Sequence, residues 1–71
     1  MNQFNPQKLL GSKWTAVKPQ QREKHFIVIG LERDEMDRVT GCELQAVINH
    51  KSYCIDWLLL RDTDNWMMGW K

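Results

Sequence analysis

Apolar and polar positions alternate along most of this chain, and the alternation predicts five short strands preceded by one helical turn. Asn5 suits a helix cap, Pro6 a first helical position and Gly11 a left-handed stop, so Asn5 to Gly11 is expected to form a short helical turn. Lys13 to Val17 alternates with Trp14 and Ala16 on one face, which predicts a first strand. Lys18 to Glu23 contains Pro19 and is otherwise polar, so it is expected to be a connection. A second strand is predicted from Lys24 to Glu32. Its segment from His25 to Leu31 is apolar at both parities, the composition of a strand covered on both sides.

Arg33 to Arg38 is a charged turn, and Val39 to Asn49 is a third run with Cys42, Leu44, Ala46 and Ile48 on one face. A fourth run places Tyr53, Ile55, Trp57 and Leu59 together. Folded back over Asn49 to Ser52, the two runs pair Ile48 with Tyr53, Ala46 with Ile55, Leu44 with Trp57 and Cys42 with Leu59, and every pair is apolar. Arg61 to Asn65 has turn chemistry, and Trp66 to Trp70 is expected to be a last strand with Trp66, Met68 and Trp70 on one face. The predicted class is therefore all-β: a small five-stranded antiparallel meander with a short N-terminal helical turn, curled or barrel-like because a flat sheet would leave Phe26, Val28, Leu58 and Leu60 in water.

At 71 residues, one domain spanning positions 1–71 is the expectation. With 42% hydrophobic and 27% charged residues the chain is apolar enough to fold. Its longest apolar runs, Phe26 to Ile29 and Trp57 to Leu60, are far shorter than a membrane-spanning helix, so no membrane role is expected. The opening residues lack the positive start and apolar stretch of a secretory signal, which sets a cytoplasmic expectation. Cys42 and Cys54 have no paired-cysteine spacing and read as reduced thiols. Residues 1–33 carry Lys8, Lys13, Lys18, Arg22, Lys24 and Arg33 against Glu23 and Glu32, a balance of +4. The remainder carries Arg38, Lys51, Arg61 and Lys71 against seven carboxylates, a balance of −3.

The Lys8 to Ala16 opening (Lys-Leu-Leu-Gly-Ser-Lys-Trp-Thr-Ala), Lys24-His25-Phe26, Cys42-x-Leu44-x-Ala46-Val47, Ile55-Asp56-Trp57 and the ending Trp66-x-x-Gly69-Trp70 resemble the small Trp-rich bacterial proteins of unknown function. The resemblance covers nearly the whole chain and rests on the spacing of its four Trp residues. It implies no established activity, ligand or catalytic residue. That family's pattern has a basic residue after the equivalent of Trp57, where Leu58 stands here, so the resemblance supplies no basic stripe on that strand.

No motif in the chain points to catalysis or a cofactor. His25, His50, Cys42 and Cys54 are a conceivable zinc set, but the hairpin register puts the two thiols on opposite faces. Asp62 to Asn65 begins like a calcium loop without the Gly and Glu that complete one. No phosphate-cradling Gly-rich run occurs, and no nucleophile lies beside a base. A non-enzymatic binding module without cofactor is thus expected. Its first candidate surface is an apolar patch of Leu58, Leu60 and Trp70 for an unidentified protein partner or a second copy of the chain, forming a homodimer. The alternative is weak binding of single-stranded nucleic acid along a basic edge of Lys13, Lys18, Arg22 and Lys24 beside Trp14 and Phe26.

Overall fold

Five antiparallel strands form one sheet in a computed structural model that describes all residues, 1–71. β1 (Lys13–Gln20), β2 (Glu23–Arg33), β3 (Val39–Ala46) and β4 (Ser52–Ile55) follow one another as hairpins, and β5 (Trp66–Met68) lies beside β1. The spatial order β4-β3-β2-β1-β5 makes the first four strands a meander and gives the whole a Greek-key-like return. β4 and β5 do not pair with each other and remain the two edges, so the sheet is open and not closed into a barrel. Helical structure is confined to two 3₁₀ turns, Pro6–Lys8 and Trp57–Arg61.

The predicted helical turn is present, capped by Asn5, whose side chain accepts from the Gln7 amide at 2.9 Å, and Gly11 has the left-handed φ of +82°. β1 runs longer than its alternation predicts. Gln21 and Arg22 both adopt positive φ, 54° and 65°, and close a two-residue hairpin turn that normally calls for Asn or Gly. Pro19 is tolerated inside β1 because pairing to β5 ends at Ala16 and pairing to β2 is interrupted between Thr15 and Gln20.

One face of the sheet is the core. Trp14, Phe26, Val28, Cys42, Leu44 and Ala46 point to it, and Leu9 from the N-terminal segment and Leu60 from the second 3₁₀ turn close over it, all buried. Each fully buried Leu or Val contributes about 1.5–3 kcal/mol. β2 is not covered on both sides as its composition suggests. A bulge sets Ile29 and Gly30 opposite Glu43, so the inward positions change parity from Val28 to Leu31, while Ile29 is 42% exposed on the outer face.

The β3–β4 pairing also differs from expectation. Cys42 pairs with Ile55 and Leu44 with Tyr53, so β4 is displaced by four residues from the predicted register. An even displacement keeps the same residues on the same face, and alternation alone cannot distinguish the two pairings. The loop decides it. The Ala46 amide bonds to the Lys51 carbonyl and the His50 amide to the Ala46 carbonyl, closing a turn that includes Val47 and Ile48. Beyond Ile55 the strand stops, because the Asp56 carboxylate caps the Leu58 amide at 2.9 Å and turns Trp57–Arg61 into a 3₁₀ helix. Trp57 is therefore half-buried on that helix, its indole donating to the Val39 carbonyl at 2.9 Å, and does not face Leu44.

The last strand is short as well. Trp66 pairs with Ala16 and Met68 with Trp14, on the inner face. Gly69, at φ +81°, then carries the chain to the outer face, so Trp70 does not share a face with Trp66. The Trp70 indole donates to the Phe26 carbonyl at 2.9 Å, and Thr15 is buried beneath this tail, donating to the Gly69 carbonyl and accepting from the Lys71 amide.

Candidate binding cavity

The inner face is not covered along its whole length. Between the β1–β2 hairpin and the chain that links the second 3₁₀ helix to β5 lies an open cavity of about 380 Å³, lined by Ala16, Lys18, Glu23, Phe26, Leu59 and Trp66, with Gln20, Asp62 and Asn65 around them. Phe26 and Trp66 meet edge to face, centroids 5.3 Å apart and planes at 78°, making a right-angled aromatic corner. The short Ala16 and Ala46 side chains beside them leave room on this side of the sheet.

Glu23 gives the cavity its chemistry. It is the first residue of β2 and only 7% exposed. The Tyr53 hydroxyl lies 2.8 Å from both of its carboxylate oxygens, and the Asn49 amide donates to Oε2 at 2.8 Å. These donors outweigh burial and hold the carboxyl below its ordinary range, with Lys51 adding to the effect. The same contact pushes the Tyr53 hydroxyl upward. The chain's two ion pairs, Arg33–Asp37 and Arg38–Asp34, lie in the β2–β3 turn, so Glu23 has hydrogen-bond donors but no salt-bridge partner.

A second cavity of similar volume lies between the N-terminal segment and β5, lined by Phe4, Leu9, Ser12, Trp14 and Met68 among others. Its buried polar group is already satisfied, the Trp14 indole donating to Ser12 Oγ at 2.9 Å.

The residues singled out in the sequence are distributed differently. Leu58 is exposed and Trp70 is 44% exposed, but Leu60 is fully buried in the core, and Trp70 lies on the outer face. These three do not form one patch. The exposed apolar pair on the 3₁₀ helix is Leu58 with Leu59, because its first turn sends Leu60 inward. Of the basic set, Lys13 lies 4.8 Å over the Trp70 ring, Lys18 lines the cavity, Arg22 sits in the hairpin turn and Lys24 is exposed beside it. Trp14 and Phe26 are buried, so neither offers a free face for stacking. Glu23, Asn49, Tyr53 and Leu59 carry no motif, and nothing short of the observed register brings Tyr53 to Glu23.

The thiols do not converge. Cys42 faces the core, whereas Cys54 is exposed on the other face opposite Glu43. Burial pushes the Cys42 thiol up to about 11, aided by Asp56, Cys54 and Glu32. Desolvation and a hydrogen bond with Glu32 also raise Cys54. No group of three or more His, Cys, Asp or Glu side chains is placed to hold a metal ion. No helix is long and apolar enough to cross a membrane.

The class of protein is an open antiparallel sheet whose core holds Trp14, with Trp57 and Trp66 packed half-buried against it. The chain belongs to the family described as Tryptophan-rich protein (DUF2389), whose model matches residues 12–71. Comparison with curated proteins finds no match, and comparison with solved structures finds none.

Proposed function

We propose that the protein is a non-enzymatic binding module that docks a segment of another protein on the cavity and the adjoining Leu58–Leu59 edge. The observation that carries this is the continuity of the two features. Leu59, 54% exposed, is both a wall of the cavity and half of the exposed leucine pair, so one partner segment can cover the leucines and fill the cavity together. A binding role also fits the chemistry of the side chains. Both thiols are held protonated at neutral pH, and His25 and His50 lie apart, one against the Lys71 carbonyl and the other in the β3–β4 turn. Two free cysteines on opposite faces suit a bacterial cytoplasmic setting.

The test is hydrodynamic. In native extracts of cells producing it, the protein should migrate well above its own 8.5 kDa, and Leu59→Asp should return it to the monomer position without changing its circular dichroism. Migration as an 8.5 kDa species by the unaltered protein would overturn the proposal. A species of twice the monomer mass from purified protein alone would identify the partner as a second copy.

Single-stranded nucleic acid is the alternative ligand, and one observation favours it. Trp70 is exposed on the outer face with Lys13 over its ring and His25 beside it, which is a basic aromatic surface, although not the one centred on Trp14.

A further inference from the structure

We infer that the cavity receives a single organic cation, the guanidinium or ammonium end of an arginine or lysine side chain presented by the partner. This deepens the docking proposal by naming what enters the cavity, and it rests on that proposal. Glu23 lines the cavity as an anion held in place by hydrogen bonds from Tyr53 and Asn49 and has no salt-bridge partner, so an entering cation would meet a fixed carboxylate that no other cation pairs directly. Its acceptor capacity is not exhausted. A carboxylate offers about four acceptor sites. The single Tyr53 hydroxyl hydrogen is shared between the two oxygens, and Asn49 supplies one more.

The walls suit the rest of such a side chain. Its aliphatic stem would pack on Ala16 and Leu59, and its charged end would meet the half-buried Trp66 ring as well as Glu23. Glu23 and Asp62, against the single lining cation Lys18, favour a cation over an anion such as phosphate in this cavity. A neutral apolar group would fill the space but leave the remaining acceptor sites of the carboxylate unused. Lys18 at the lining and Lys51 near Glu23 oppose the incoming charge, and the binding of an isolated side chain is accordingly weak.

The experiment uses the full chain labelled with ¹⁵N and follows the Trp66 indole resonance during titration with N-acetyl-arginine amide, N-acetyl-lysine amide and the uncharged N-acetyl-citrulline amide. At least one cationic probe should produce saturable shifts at Trp66, Ala16 and Leu59, with citrulline weaker by about tenfold or more. Glu23→Gln should abolish the difference between charged and neutral probes. Because that variant disturbs a buried contact, Lys18→Gln, at an exposed position, provides the second arm and should tighten cation binding about two- to threefold. Equal shifts with citrulline, no shifts with any probe, or unchanged affinity in Lys18→Gln would overturn the inference. If it fails while Leu59→Asp still collapses the migrating species, the cavity docks a partner by shape and apolar contact. If the cation binds and the species is unaffected, the docking proposal fails by itself.

Discussion

The Tyr53 hydroxyl, on β4, reaches across β3 to lie 2.8 Å from both oxygens of Glu23 at the start of β2. This contact ties the sheet edge to the β1–β2 hairpin and holds Glu23, which lines the cavity. Tyr53 is the only tyrosine, so tyrosinate absorbance reports it alone. Its titration should lie above the ordinary value of 10.0, since ionising it would place a second anion against Glu23. Glu23→Gln should return the midpoint toward that value. An ordinary midpoint in the unaltered protein would mean the contact does not form in solution.

The pH dependence of stability follows with two opposite signs. Glu23 is held below its ordinary value of 4.5, so its contribution is complete above that pH and is lost as the pH falls through its folded value. Asp34, lowered chiefly by the Arg38 backbone amide, acts in the same direction from 3.8 downward. Tyr53 is raised, so its contribution is complete below about pH 10 and is lost as the pH rises through its folded value. Thermal melts should therefore show a plateau near neutrality as far as these groups are concerned, with losses at both extremes. Tyr53→Phe should lower the plateau and remove the alkaline loss due to this residue.

The two central tryptophans should differ in cost. Trp14 is 1% exposed, and Trp14→Ala should remove about 3–5 kcal/mol, most of the stability of a domain this small. Trp57 is half-buried and keeps one face near Arg61, so Trp57→Ala should cost less, about 2–3 kcal/mol. Urea unfolding of both variants checks the order, and the reverse order would contradict the assignment of Trp57 to the 3₁₀ helix.

The β1–β2 turn stores strain that can be removed. Left-handed φ costs a residue with a side chain roughly 1–2 kcal/mol, part of which glycine's freedom in the unfolded chain cancels. Arg22→Gly should stabilise the protein by about 0.5–1 kcal/mol, measured as a higher urea midpoint. A lower midpoint would show that the Arg22 side chain contributes more than its backbone conformation costs.

Binding of oligonucleotides separates the two ligand classes. If the outer surface binds single strands, Trp70 fluorescence should fall on addition of oligonucleotide at low salt, recover on raising the salt, and respond to Lys13→Glu. If the cavity is the ligand site, oligonucleotides should leave the Trp66 indole resonance where it is.

The strand content is legible in the sequence because alternation reports which positions face a core, and Cys42, Leu44 and Ala46 on β3 show it plainly. What alternation cannot report is displacement by an even number of residues, and the four-residue shift of Tyr53 and Ile55 against β3 is of that kind. Trp57 to Leu60 belongs to a helix because Asp56 caps it, a local signal weaker than the surrounding apolar run. Trp70 changes face because Gly69 takes a left-handed φ, which a period-two pattern does not contain. The cavity was illegible for the same reason. It depends on Glu23, in a stretch that reads as solvated, meeting a tyrosine thirty positions away.

The docking proposal is tested most directly by placing the photo-crosslinking residue p-benzoylphenylalanine at Leu59, beside the cavity, and at Met36, which is equally apolar and 73% exposed in the β2–β3 turn. Irradiation of living cells should give a discrete protein adduct from position 59 and none from position 36. The position-59 adduct should disappear when the cavity wall is altered by Trp66→Leu in a chain that still folds. Adducts of the same pattern from both positions, or none from position 59, would contradict a partner docked at this cavity.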